Sequence, residues 1–395
     1  MSTEAFERWI EQLKSAPGWY WVIKRLAGND TLATAANQAG PYLPKAVIFS
    51  LFPTVNDPMA TNPDAMLVAV VDSHTLPERD IRVVWYNTRT RNECRITRWG
   101  GSGSPVLDPD STGSILVMAF FKEDTGDARH CRVWLCNQDE EEILEGYIGE
   151  VEPGLPQFLD SDFRSVVPDR TTPERASCWL TPQTLPPAWA NRFPTAMEIV
   201  DFSVSLRRLR DSPVDKRLLA RRDCEYQMFR SVEEMLILPR VLQGFSGIEE
   251  FIEFSNSVNN RRKSRAGRSF ELHLVKIFDE EGVPHSHGEV SEGAKRPDFL
   301  FPSANLYRNG GSPVWMLAAK TTCKDRWRQI LNEADRIPIK YLATLQEGVS
   351  INQYQEMRDA GVRLVVPTPL HERFPKAVRS ELINLQTFLG MVKAG

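Results

Sequence analysis

The sequence is sparing with cysteine and histidine, with six of each in 395 residues. Cys94, Cys131, Cys136, Cys178, Cys224 and Cys323 include no Cys-x-x-Cys pair. Their spacing therefore indicates neither a disulfide framework nor a zinc site, and six reduced thiols are expected. No uncharged apolar run reaches the ~18 residues that would suggest a membrane span. Glu4, Glu7, Arg8 and Glu11 interrupt any apolar stretch near the N-terminus, which argues against a signal peptide and for a cytoplasmic location. A large net charge is also missing, because 48 Lys plus Arg stand against 52 Asp plus Glu. There are no internal repeats or low-complexity tracts. At 42% hydrophobic and 25% charged residues, the composition is that of an ordinary globular protein.

The near-neutral average hides a division. Residues 1–200 carry 18 basic against 27 acidic side chains, whereas residues 201–395 carry 30 against 25. The length suggests roughly two or three domains. Phe6, Trp9, Ile10 and Leu13 predict an amphipathic helix over residues 4–14. Short β-like runs follow near 20–26, 46–51, 66–72, 82–86, 95–99, 115–121 and 132–136, which suggests a barrel or sandwich. Seven prolines then fall between 151 and 190, the composition of a stiff, extended linker. The expected organisation is an N-terminal domain over 1–150, a linker over 151–190 and a C-terminal domain over 191–395. In the last, helices are expected at 197–209, 214–238, 248–258 and 267–280, then strands at 298–301 and 314–322. A helix at 326–335, a strand at 341–345, a helix at 353–360, a strand at 362–366 and a helix at 376–392 complete it. This order describes a mixed sheet with helices on both faces.

The sharpest chemical constellation is Asp298, Lys320 and Glu333. Phosphodiester hydrolysis needs carboxylates to hold Mg2+ against the phosphate and a cation to orient water. In the common Asp…(Asp/Glu)-x-Lys arrangement the second acid lies two residues before the lysine, on the same strand face; here that position is Ala318. Glu333, from the helix expected next, can supply the missing carboxylate to the same point in space. The plainer alternative is a turn-forming Asp298, a snorkelling Lys320 and a solvated Glu333.

Lys324, Asp325, Arg326 and Arg328 follow the lysine at a helix start. Arg or Lys pairs with guanine and an acid accepts from cytosine, so the tract suits G·C pairs; a solvated helix start is the alternative. Arg261, Arg262, Lys263, Arg265 and Arg268 precede the helix bearing Glu271, where free backbone N–H groups would add to a phosphate clamp. In the first half, alternation places Arg89, Arg91, Glu93 and Arg95 on one strand face, with Arg98 beyond. That face reads as a groove-binding ribbon or an ion-pair ladder. His285-Ser-His287 reads as an exposed loop, and Tyr307 as a poor candidate nucleophile. A non-catalytic, sequence-specific DNA-binding regulator is the rival to a nuclease.

Several stretches resemble the EcoRII group of type IIE restriction endonucleases: RNECRITRW at 91–99, SVNNRRKSRAGRSFELHL at 257–274, RPDFLFPS at 296–303, AKTTCKDRWRQILNEADR at 319–336, TLQEGVS at 344–350 and GVRLVVP at 361–367, with Arg221, Arg222, Glu225 and Tyr226. The resemblance implies a homodimeric, Mg2+-dependent enzyme that cuts CC(A/T)GG in double-stranded DNA before the first C. It implies a C-terminal α/β/α PD-(D/E)XK domain and an N-terminal B3-like β-pseudobarrel that binds an effector copy of the site and relieves autoinhibition. By the same resemblance Asp298, Lys320 and Glu333 are catalytic, with Asp298 and Glu333 on the metal and Glu271 nearby. Lys324, Asp325 and Arg326 would read bases, and Arg222 and Tyr226 would line a pocket for a flipped central base. Asn37, Tyr42, Arg89, Arg91, Glu93, Arg95 and Arg98 would meet the effector. The family's effector-loop histidine is here Asn37, and a basic effector-strand position is Cys94.

Overall fold

The computed structural model describes residues 3–35, 39–88, 91–160 and 178–395. Asn37, Arg89 and residues 161–177 of the expected linker lie outside them. Helix α1 (Thr3–Lys14) buries Phe6, Trp9 and Leu13 as their spacing predicts. The chain continues through β1 (Trp19–Arg25), β2 (Tyr42–Leu43), α2 (Lys45–Leu51), β3 (Asp64–Val71), β4 (Arg79–Tyr86) and β5 (Glu93–Thr97). Then come β6 (Ile115–Phe121), β7 (His130–Leu135), α3 (Gln138–Ile148) and β8 (Gln157–Leu159). All eight strands join one sheet in the order β2-β5-β4-β3-β7-β6-β1-β8. Its pairings are antiparallel except that β3 runs parallel to β7. Alternation buries both faces. Val22, Met118 and Phe120 join Leu43, Ile48 and Ile81 on one side, while Trp21, Ile23 and Val117 join Phe6, Trp9 and Leu144 on the other.

Three expectations are corrected in this half. Residues 46–51 form helix α2, capped by Pro44, with Val47, Ile48 and Leu51 buried; so short an apolar run has no periodicity that separates helix from strand. Helix α3 is missing from the sequence reading, although Asn137 and Glu140 form reciprocal capping bonds at its start. Residues 157–159 of the expected linker are strand β8, since Phe158 and Leu159 alternate into the two apolar clusters and pair with β1.

The second half comprises α4 (Ala196–Leu206), α5 (Val214–Leu236), α6 (Leu238–Gln243), α7 (Ile248–Glu280), β9 (Ser286–His287), β10 (Phe299–Phe301), α8 (Ala304–Arg308) and β11 (Trp315–Lys320). A 3-10 helical segment (Arg326–Asn332), β12 (Lys340–Thr344), α9 (Ile351–Asp359), β13 (Val362–Val365), α10 (Lys376–Arg379) and α11 (Leu385–Ala394) follow. The sheet order is β13-β12-β11-β10-β9, parallel through β11, β12 and β13 and antiparallel through β9, β10 and β11. Met316, Ala318 and Leu342 face the 3-10 segment and α9, whereas Leu317, Ala319 and Tyr341 face α5, α7 and α11.

The helices expected at 248–258 and 267–280 are one helix of 33 residues. Arg, Lys, Ser and Ala carry it across the interval, and Gly267 costs only about 1 kcal/mol relative to alanine. The closing helix is divided into α10 and α11, the latter capped by Asn384. Cys178 and Cys224 form a disulfide with Cα atoms 5.2 Å apart, which corrects the expectation of six reduced thiols. Packing of Cys178, Leu180 and Trp189 on Met228 and Phe229 of α5 brings the pair together, which their spacing could not reveal. The other four cysteines are buried and free. No described helix is long and apolar enough to cross a membrane.

Candidate active site and its covering

Asp298 leads into β10 and Lys320 ends the adjacent β11. The Asp298 carboxylate accepts from the Ala319 N–H at 2.8 Å and from Lys320 Nζ at 3.0 Å. Ala318 is fully buried and shares a strand face with Lys320, so its methyl leaves room for chain crossing that face. The crossing chain carries Glu333, whose Oε2 is buried without a hydrogen-bond partner. Burial first, then the Asp298 charge, pushes the Glu333 pKa up to about 7 against the opposing pull of Lys320 and Lys340. The structure thus brings Asp298, Lys320 and Glu333 together.

Glu333 is not on a helix, as expected, but in extended conformation just past the 3-10 segment, with φ −92° and ψ 142°. Ala334 then turns the chain with φ +47°; the short stretch between β11 and β12 closes as a 3-10 turn and not as an α-helix. The buried, unpartnered carboxylate oxygen beside a second carboxylate fits a hydrated Mg2+, which uses one or two carboxylates and keeps several waters. Among the described residues, no three His, Cys, Asp or Glu gather as a metal cage.

Glu271, on α7, lies 2.9 Å from His287 Nε2 and 3.4 Å from Arg268. His287 stacks on Phe299 with ring centroids 4.9 Å apart, and the neighbouring Gly288 N–H donates to the Asp298 carbonyl at 3.0 Å. Glu271 is thereby tied through His287 to the Asp298 end of the sheet. His287 is not the exposed loop residue that was expected. Tyr307 is buried, and its hydroxyl accepts from the Arg336 N–H at 3.1 Å; burial chiefly raises its pKa to about 12, which suits a structural tie.

The tract expected to clamp phosphate at a helix start lies within α7, well past its first turn at Ile248, so no free N–H groups assist it. Arg265 is buried and ion-paired with Glu225 and Glu152, Arg262 pairs with Glu233, and Arg261 covers Phe193 at 4.1 Å. Lys263 lies against Gly146 of α3, and Arg268 reaches Glu271. Arg222 is buried in an ion pair with Glu152, and Tyr226 lies under the Arg265 guanidinium at 4.9 Å.

In the first domain, Tyr42 pairs with Arg95 across β2 and β5. Arg95 is buried against Glu93 at 3.1 Å and the carbonyls of Asn29 and Gly40 at 2.9 and 3.0 Å. Arg91 lies 5.7 Å from the Tyr86 ring, and Arg98 approaches the Met66 sulfur at 3.7 Å. The Glu93–Arg95 pair runs along one strand.

The sequence reading did not identify the residues that cover the site. Glu150 accepts from Thr321 Oγ1 at 2.5 Å and stands 3.8 Å from Arg326. Lys324 Nζ donates to Ser114 Oγ of the first domain. Gln346 Oε1 receives the Cys323 and Lys324 N–H groups at 2.8 and 3.0 Å, fixing the tract, while Asp325 stays exposed at the start of the 3-10 segment. The domains also meet through their backbones. The Gly28 N–H donates to the Glu347 carbonyl at 2.6 Å, and a Cβ on Gly28 would lie 2.0 Å from the Arg373 carbonyl oxygen. The only sequence signal for this covering is the acidic excess of the first half.

Two family models match the chain: "Restriction endonuclease EcoRII, N-terminal" over residues 15–162 and "EcoRII C terminal" over residues 229–389. The chain is 44% identical over 400 residues to the type II restriction enzyme EcoRII of Escherichia coli, covering 98% of this chain and 97% of that enzyme. It is 27% identical over 138 residues to the type II restriction enzyme SsoII of Shigella sonnei, covering 32% and 45%. A solved complex of metal-depleted Ecl18kI with uncleaved, modified DNA aligns with a TM-score of 0.44 and 18% identity, covering 51% of this chain and 78% of that one. The chain belongs to the EcoRII family of type II restriction enzymes, site-specific nucleases that bind DNA.

Proposed function

We propose that this nuclease is a Mg2+-dependent type IIE enzyme that cuts both strands of CC(A/T)GG before the first C, acting as a homodimer. Its N-terminal domain, read as a B3-like pseudobarrel, binds a second copy of the site and thereby releases the catalytic domain, read as a PD-(D/E)XK fold. The observation that carries this reading is the convergence of Asp298, Lys320 and the buried, unpartnered Glu333 oxygen. Asp298 and Glu333 hold the ion, with Glu271 close by. Bound Mg2+ supplies positive charge to the phosphoryl oxygens and lowers the pKa of water. Lys320, held by Asp298, orients the attacking water and balances charge developing on the phosphate.

Lys324, Asp325 and Arg326 read the G·C pairs, and Arg222 and Tyr226 line the pocket for the flipped base. Arg261, Arg262, Lys263, Arg265 and Arg268 turn to phosphates once their present acidic and apolar partners withdraw. Tyr42, Arg91, Glu93, Arg95 and Arg98 meet the effector copy, with Asn37 and Arg89. Inhibition is supported by Glu150, Glu152 and Ser114, which occupy Arg326, Arg222, Arg265 and Lys324 as DNA oxygens would. The dimer is supported by exposed apolar side chains on the α6–α7 hairpin, among them Leu242 at 77% and Ile248 at 71% exposure.

The test is a plasmid carrying several copies of CC(A/T)GG incubated with the parent and with Asp298→Ala, with and without Mg2+. Discrete fragments from the parent in Mg2+ alone, and intact but retarded DNA from the variant, are expected. Normal cutting by Asp298→Ala overturns the assignment.

A further inference from the structure

A carboxylate within a strand is held in place by the hydrogen-bond ladder on either side of it. Glu333 has no such support, because it lies outside the sheet between the 3-10 segment and β12. The following chain reverses at Ala334, and the Ile337 N–H closes the turn on the Ala334 carbonyl at 2.9 Å. The position of the Glu333 carboxylate therefore depends on what holds this turn.

Lys340, the first residue of β12, is only 6% exposed. Its Nζ donates to the carbonyls of Ala334 at 3.1 Å and Ile337 at 2.9 Å. A buried ammonium is costly unless hydrogen-bonded, and Lys340 directs two of its donors to the turn that follows Glu333. Burial lowers its pKa, with a further push from Lys295, while the charges of Asp335, Glu292 and Glu333 pull the other way. Two other side chains accept backbone N–H groups of the turn, Glu292 from Asp335 at 2.8 Å and Tyr307 from Arg336 at 3.1 Å, and Lys295 pairs with the Asp335 carboxylate. Among the described residues, Lys340 alone combines a hydrogen bond to the turn with electrostatic influence on the Glu333 carboxylate.

We propose that Lys340 is a positioning residue for the cleavage reaction, fixing the 334–337 turn so that Glu333 meets Asp298 although the usual strand position holds Ala318. This rests on the reading of Asp298 and Glu333 as the ion-holding pair. Moving the acid out of the strand removed the backbone ladder that would have placed it, and the buried ammonium replaces that ladder with two side-chain hydrogen bonds.

The experiment measures Mn2+ binding to the full chain at pH 8 by electron paramagnetic resonance, together with cleavage rate, KM for plasmid, DNA retention and melting midpoint. Lys340→Met should weaken Mn2+ binding and slow cleavage by about tenfold to a hundredfold, the range for residues that orient metal ligands, while KM and DNA retention stay at parent values. Lys340→Arg, which keeps donors for both carbonyls, should recover most of the loss. Parent-like Mn2+ binding by Lys340→Met overturns the inference. So does loss of binding by both variants with a parallel fall in melting midpoint and DNA retention, since that is a folding role only. Asp298→Asn separates this inference from the reading beneath it. If that variant loses Mn2+, a parent-like Lys340→Met result overturns the positioning role alone; if it keeps Mn2+, the ion-holding pair falls and the inference with it.

Discussion

Replacing Glu333 by glutamine should stabilise the protein above neutral pH while abolishing cleavage. An ordinary glutamate titrates near 4.5, and burial raises Glu333 to about 7. A folded-state value above the unfolded one means that the folded chain binds the proton more tightly. The stability linked to this group is therefore fully present below about 4.5 and is lost as pH rises through about 7. At about 1.4 kcal/mol per pH unit the displacement corresponds to roughly 3 kcal/mol. Partial solvent contact screens some of this, leaving about 1–3 kcal/mol. Glutamine carries no charge to desolvate. For a domain of this size each kcal/mol moves the melting midpoint by about 2–4 °C, so Glu333→Gln should melt about 2–12 °C above the parent at pH 8 in EDTA. Near pH 4.5 the two should coincide. Calorimetric scans of both proteins across this range provide the assay, and added Mn2+ should raise the midpoint of the parent alone. A variant that melts with or below the parent at pH 8 would refute the desolvated carboxylate, and with it the physical case for a cation beside Glu333.

Glu150→Gln combined with Glu152→Gln should let the enzyme cut a plasmid bearing a single site. Each lost charge-assisted bond contributes about 1.5–3 kcal/mol, so the single-site rate should rise tenfold or more; an undiminished requirement for a second site would sink the covering role of these acids. Leu242→Glu with Phe251→Glu should halve the mass seen by analytical ultracentrifugation, because both are exposed apolar side chains of the hairpin and two charges would enter it; an unchanged dimer would place the interface elsewhere.

Much of the fold was legible in the sequence wherever one periodicity served one face. Helix α1, strands β1 and β6 and, in the C-terminal half, strands β10 to β13 follow from apolar spacing and apolar runs. Where a run was short, as at 46–51, or where no breaker separated two helical stretches, as within α7, local pattern could not choose. The Asp298 and Lys320 pair was readable because adjacent strands carry both residues. The approach of Glu333 to Asp298 was readable, but the turn that presents it was not, since Lys340 of the next strand holds that turn.

The sequence by itself determined the division of charge between the halves, the spacing of Asp298, Lys320 and Glu333, and the small side chain at Ala318. Only the tertiary structure decided that Cys178 meets Cys224, that His287 joins Glu271, and that Glu150 and Glu152 cover the basic residues of the other domain. These are long-range encounters between charged or polar groups with no periodicity along the chain. Their partners are selected by the burial of apolar surface elsewhere, and no local pattern records that selection.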